Sequence, residues 1–160
     1  MLSACQESQD LSAPCQGAKM TLLDTTGKIT YLQVMNSSML RQHNDSGGYK
    51  IFSLDAMNDS IHLYFNVQTD LYPPKELPSD DLPYQSFTYP NYNSVSKGQI
   101  SLQFSNGNWL QSTPTDTSSI TIKSIDLETH KISGYYYFAL HNRTMKGGGL
   151  FTSICFLSSK

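Results

Sequence analysis

Charge is scarce in this chain of 160 residues: Asp, Glu, Lys and Arg make up 15% of it, against about 25% in an average soluble domain. Eleven basic residues face thirteen acidic ones, a net charge of -2. That balance cannot supply the phosphate-neutralising attraction that sequence-independent nucleic-acid binding requires, so no nucleic acid is expected as a partner. Long apolar runs are missing too. Nothing approaches the roughly 18 consecutive apolar residues of a membrane-crossing helix, and membrane contact is expected only through the N-terminus. Helical periodicity is hardly visible. Cysteine is limited to three residues and tryptophan to one. The length excludes two full-sized domains. What is present is a hydrophobic fraction of 38% and an aromatic fraction of 11%, enough to bury one core. Ser, Thr, Asn, Gln and Tyr stand where charge would, the composition of a cell-surface protein.

The recurrent pattern is alternation of apolar and polar residues, interrupted by Gly, Asn and Asp clusters every eight to twelve residues or so, the rhythm of an antiparallel β protein. From Ser60 to Gln68, Ile61, Leu63, Phe65 and Val67 fall on one face and His62, Tyr64, Asn66 and Gln68 on the other. Gln99 to Ser105 repeats the pattern, followed by an Asn106-Gly107 turn. Lys19–Leu23 with Lys28–Val34, and Met39–Gln42 with Tyr49–Leu54, read as two separate hairpins. Ile120 to Leu157 reads as a closing meander, with Gly147-Gly148-Gly149 at a flexible hairpin tip. Residues 1–17 are expected to hold a short processing-signal remnant and, from Gln6 to about Gly17, a polar tether, with 18–160 a single domain. It is expected to be an all-β antiparallel sandwich or partly closed barrel of about eight or nine strands. Between about residues 69 and 97 the alternation stops and five of the seven prolines gather in a long loop.

Chemistry is thinly signalled. No G-x-S-x-G elbow exists, and Ser46 before Gly47-Gly48 reads as a turn. His43, His62, His130 and His141 have no short ligand spacing, the acidic Glu76, Asp80 and Asp81 lack an EF-hand frame, and the glycine triplet lacks the P-loop Lys. Neither metal nor cofactor is expected. The one constellation above background is aromatic. Tyr84, Phe87, Tyr89 and Tyr92 lie in the proline-stiffened loop near Tyr72, and Trp109 lies just beyond a later turn. Such rings suit a sugar or a partner peptide; alternatively the loop folds back and its aromatics complete the core.

The opening Leu2-Ser3-Ala4-Cys5 resembles the lipobox that ends the signal peptide of bacterial lipoproteins, which implies a lipid on Cys5. No basic or apolar signal region precedes Leu2, so the expected natural start lies further upstream or the chain begins near its processing point. With Cys5 assigned to lipid, Cys15 and Cys155 remain. They either form one long-range bridge or stay as two reduced thiols, and the lipobox favours the bridge.

Ile120-Thr121-Ile122, Ile132-Ser133-Gly134-Tyr135-Tyr136-Tyr137-Phe138 and Gly148-Gly149-Leu150-Phe151 resemble the closing strands of small uncharacterised Bacteroidetes lipoproteins. In that family they read I-T-I, I-S-G-x-F-x-F and G-x-F. Ala18-Lys19-Met20-Thr21 is similar to the family's opening strand, while the three tyrosines depart from its pattern. The resemblance implies an exported, all-β, outer-membrane lipoprotein and transfers no active-site residues. Asp24-Thr25-Thr26 and Asp59-Ser60-Ile61 are similar to O-glycosylation sites of that phylum, but read more simply as turns. The expected function is a lipid-anchored module that binds a carbohydrate or another envelope protein. The alternative is a polymer hydrolase using carboxylates of the loop around Asp80-Asp81.

Overall fold

Alternation becomes strand wherever the structure is described. The computed structural model describes Cys15 and residues 17–44, 47–72, 86–89, 97–111, 117–140 and 144–159. Its strands are β1 (Lys19–Asp24), β2 (Ile29–Asn44), β3 (Gly47–Met57), β4 (Ile61–Tyr72), β5 (Ser86–Tyr89), β6 (Lys97–Phe104), β7 (Trp109–Gln111), β8 (Thr117–Asp126), β9 (Lys131–Leu140), β10 (Met145–Cys155) and β11 (Leu157–Ser159). They hydrogen-bond in the order β5-β8-β9-β10-β1-β2-β3-β4-β6-β7, with β11 on β2. Every pair is antiparallel except β11 with β2. The eight long strands curl until β5, at one edge of the sheet, packs against β6 near the other edge. A Cβ on Gly98 of β6 would stand 2.5 Å from the Phe87 carbonyl oxygen of β5. The fold is therefore all-β and nearly a closed barrel, as the alternation implies.

The inward residues fill that barrel. Met20, Phe52, Leu54, Leu63, Phe65 and Ile100 all belong to one buried cluster. Phe65 centres it, with its ring 5.2 Å from Phe151 and 6.1 Å from both Phe52 and Tyr136. An eight-stranded barrel is just wide enough for side chains to fill, and the section these rings occupy is solid. At the end carrying the β2–β3 turn, inward positions become polar: Lys50 and its register partner Thr69 are buried.

Three sequence expectations need correction. The strands expected over Lys28–Val34 and Met39–Gln42 are not separate but fall in one 16-residue strand, β2, which begins at Ile29. A bulge between Val34 and Asn36 shifts the inward phase by one residue, from Leu32 and Val34 to Ser37 and Met39, which hides the strand from a period-two reading. Beyond the bulge β1 no longer flanks β2, and β11 covers that edge at Ser38–Leu40. Although the alternation stops near residue 69, β4 continues as strand to Tyr72, and a further strand, β5, lies inside the expected loop.

The glycine triplet, third, is no hairpin tip. Gly147, Gly148 and Gly149 lie within β10 opposite Phe138, Tyr137 and Tyr136 of β9. Their missing side chains make room for rings and backbone. A Cβ on Gly147 would stand 2.6 Å from the Phe138 ring, and one on Gly149 would stand 1.8 Å from the Thr21 carbonyl oxygen. Gly134 of β9 does the same for the ring of its partner Phe151, 2.5 Å from the position of its absent Cβ. Aromatic residues thus cover glycines across the β9–β10 seam, a device that lets sheets bend sharply without leaving voids.

Candidate functional site

Cys15 and Cys155 are joined by a disulfide across a sequence separation of 140, with Cα atoms 5.8 Å apart. The Cys155 amide also donates to Cys15 Sγ at 3.1 Å. Just before it, β10 carries a bulge between Phe151 and Ile154, with Ser153 at a φ of 51°. The Ser153 amide leaves the ladder and donates to Ser133 Oγ at 2.8 Å. The bridge ties the segment entering β1 to the end of β10. Cys5, the expected lipid site, lies outside the described residues.

Of the expected aromatic constellation, Phe87 is the member whose side chain is described. Tyr84 and Tyr92 lie outside the described residues, as do Glu76, Asp80 and Asp81. Phe87 is fully buried in the barrel core, so it is corrected from ligand contact to core packing. The seam between β5 and β6 takes it in because Gly98 leaves room for the Phe87 backbone. Tyr89 and Trp109 belong to β5 and β7, the two terminal strands of the hydrogen-bonded order. Both Asp-Ser/Thr stretches are turns. Asp24 Oδ1 accepts from the Thr26 amide at 2.8 Å, its hydroxyl at 2.6 Å and the Lys28 amide at 3.0 Å, while Asn58 Oδ1 accepts from the Ser60 and Ile61 amides at 2.9 and 3.0 Å.

Two features on the barrel's outside were not legible beforehand. The first is polar. On the outer face of β3 and β4, the Asp55 carboxylate holds His62 Nε2, and the Tyr64 hydroxyl lies 3.0 Å from His62 Nδ1. One neutral tautomer satisfies both contacts, with Nε2–H donating to Asp55 and Tyr64 donating to Nδ1. Burial, and then the Asp55 charge, push the Tyr64 phenol above its ordinary range. A pocket of about 250 Å³ opens beside this group, lined by the β3–β4 turn, His62 and the residues around Phe104. The three side chains form a relay of acid, imidazole and phenol. It locks two strands together: Asp55 is opposite Tyr64, and Met57 opposite His62. Among the described residues, no three His, Cys, Asp or Glu side chains are placed to hold a metal.

The second feature is apolar. Six of the eight large hydrophobic residues that stand exposed among the described ones are Leu23, Ile29, Tyr31, Tyr135, Tyr137 and Leu150, and these share one outer face. Strand register places them in two adjoining rows across β9, β10, β1 and β2. One row runs Tyr137, Gly148, Leu23, Ile29. The other runs Tyr135, Leu150, Thr21, Tyr31, where the Leu150 amide donates to Thr21 Oγ1 at 3.1 Å. Tyr31 is 72% and Ile29 61% exposed, so the β2 end of both rows is the most open part of the face. Scattered apolar residues are ordinary on a protein surface, but a contiguous patch on the order of several hundred Å² marks an interaction site. The sequence signal was there: in Leu22-Leu23, Ile29 to Leu32 and Tyr135-Tyr136-Tyr137 both faces of the strand are apolar. Their adjacency, however, depends on pairing between strands distant in sequence.

No protein family, no curated protein and no solved structure matches this chain.

Proposed function

We propose that this protein is an exported, lipid-anchored module of the bacterial cell envelope, an outer-membrane lipoprotein that binds rather than catalyses. The observation that carries this reading is the Cys15–Cys155 disulfide. Such bonds form and persist in oxidising compartments and are rare in the cytosol, where thiols are kept reduced. Once Cys15 and Cys155 are paired, Cys5 is the single remaining cysteine, and it stands in the Leu2-Ser3-Ala4-Cys5 context of a lipobox. The likeness of the β8–β10 meander to small Bacteroidetes lipoproteins agrees with the same compartment. A binding role fits the chemistry available. The Asp55–His62–Tyr64 relay braces β3 against β4, and the sheet β9-β10-β1-β2 offers an exposed apolar face to a partner. Carbohydrate or a second envelope protein is the class of ligand to be screened.

The test is mass spectrometry of the protein produced from its own genomic locus with the upstream sequence in place. A mature chain starting at a diacylated or triacylated Cys5 is the expected product. An unmodified Cys5 inside a longer or uncleaved polypeptide would overturn the anchor.

A further inference from the structure

The outer face of β9-β10-β1-β2 is built to lie against something, and the charges around it say what. Four exposed lysines frame it. Lys146 precedes Gly148 on β10, Lys19 precedes Thr21 on β1, Lys28 adjoins Ile29, and Lys123 holds its Nζ 5.5 Å from the centre of the Tyr135 ring. No carboxylate stands within the two rows, and Asp24 at their border is engaged by Thr26 and Lys28 in its own turn. A chain whose overall charge is -2 has thus gathered cations around its exposed apolar field. A second copy of the same face would bring lysine against lysine. A sugar needs several fixed polar partners, and the two rows offer it three aliphatic side chains, the phenols of Tyr31, Tyr135 and Tyr137, and the Thr21 hydroxyl, which already accepts from the Leu150 amide. We propose that this face is a membrane-contact surface that rests on an anionic lipid interface, with the aliphatic side chains at the acyl boundary. Tyr31, Tyr135 and Tyr137 sit at headgroup level, and the lysines lie against the lipid phosphates.

The openness of the face fits this partner. Tyr31 and Ile29 are largely exposed, and a lipid interface takes up open apolar side chains that a small-ligand site would enclose. The chain's entry point fits as well. Cys15 is bridged to the end of β10, beside Lys19 and its register partner Thr152 at one border of the face. Cys5 lies ten residues earlier, which full extension limits to roughly 35 Å. A lipid on Cys5 would keep the face within reach of the bilayer. The placement of the face near a membrane rests on the anchored reading, but its intrinsic affinity for lipid does not.

The experiment therefore uses the full chain carrying Cys5→Ser, which cannot be acylated, in co-sedimentation with vesicles of phosphatidylcholine alone and of phosphatidylcholine with one quarter phosphatidylglycerol. Binding to the anionic vesicles, weakened by salt and at least tenfold stronger than to neutral ones, is the expected result. The triple variant Ile29→Ser, Tyr31→Ser, Leu150→Ser alters exposed positions and is checked for an intact disulfide and unchanged circular dichroism. It should lose at least tenfold of that binding. Lys19→Glu with Lys123→Glu should abolish the preference for anionic vesicles. Absence of vesicle binding, or equal binding by the triple variant, overturns the proposal. So does a concentration-dependent dimer that the triple variant dissolves, because the face would then pair two copies. An unmodified Cys5 in cells would refute the anchor and leave the vesicle result standing.

Discussion

Gly149 has the tightest surroundings of the described glycines whose neighbours are known. Its backbone passes so close to Thr21 that a single added methyl would overlap the Thr21 carbonyl, and the Tyr136 hydroxyl lies 3.1 Å from the same position. Tyr136 is buried and donates its hydroxyl to Thr21 O at 2.8 Å. Burial drives its phenol far above the ordinary range, so it stays a donor at any physiological pH. Two substitutions separate these roles. Gly149→Ala should cost about 3 kcal/mol of unfolding free energy, because backbone must move in a packed core. Tyr136→Phe should cost about 1–2 kcal/mol, the loss of one hydrogen bond that leaves the Thr21 carbonyl short of a partner. Denaturant titration of both variants checks the order, and an equal or smaller loss for Gly149→Ala would contradict the close-approach account. Reading the glycine triplet as a loop tip was natural from composition. The partner rings that claim the space lie about ten residues away on β9, and no local pattern shows them.

At the scale of the element, turn chemistry was readable and phase was not. Asp126 closes the β8–β9 turn by accepting from the Glu128 and Thr129 amides at 2.9 and 3.1 Å and from the Thr129 hydroxyl at 2.6 Å. The Thr129 hydroxyl and then the Thr129 amide hold its carboxyl below the ordinary value of 3.8, despite a small opposing effect of desolvation. A carboxyl with a folded-state value below its unfolded one stabilises the fold above the unfolded value, and that contribution fades as pH falls through the folded value. Asp126→Ala should therefore melt below wild type at pH 7, with the gap narrowing as the pH drops under 3.8. Thermal unfolding over a pH series tests this, and a gap independent of pH would contradict it. The same turn ends on His130 at a φ of 49°, whose carbonyl accepts from the Phe156 amide at 2.9 Å. Strand β4 was plain in sequence because Ile61, Leu63, Phe65 and Val67 keep one phase throughout. Strand β2 was not, because its bulge exchanges phases at Met35 and places the polar Ser37 inward, where its hydroxyl meets the Cys155 carbonyl.

For the whole molecule, the barrel and its staple are one design. Among the described residues the hydrogen-bonded order begins at β5 and ends at β7, and closure there rests on packing of Phe87 against Gly98. The covalent bond at Cys15 and Cys155 binds the start of the barrel to the end of β10. In the chain-entropy view, a loop of this length removes enough freedom from the unfolded chain to stabilise the fold by about 4–5 kcal/mol. Cys15→Ser with Cys155→Ser should lower the denaturant midpoint substantially with a barrel-type circular dichroism spectrum retained, as should reduction of the wild type. Fold class and bridge were open to inference because alternation and cysteine arithmetic act along the chain. The exposed apolar face was not, since it exists only once four strands are in register.

Everything about location turns on whether that bridge exists in the living cell. The decisive measurement traps free thiols in intact cells with one alkylating reagent, then reduces the protein and labels with a second of different mass. The account predicts that Cys15 and Cys155 carry only the second label. First-label modification of both would mean a reduced protein in a reducing compartment, and the envelope reading would be wrong.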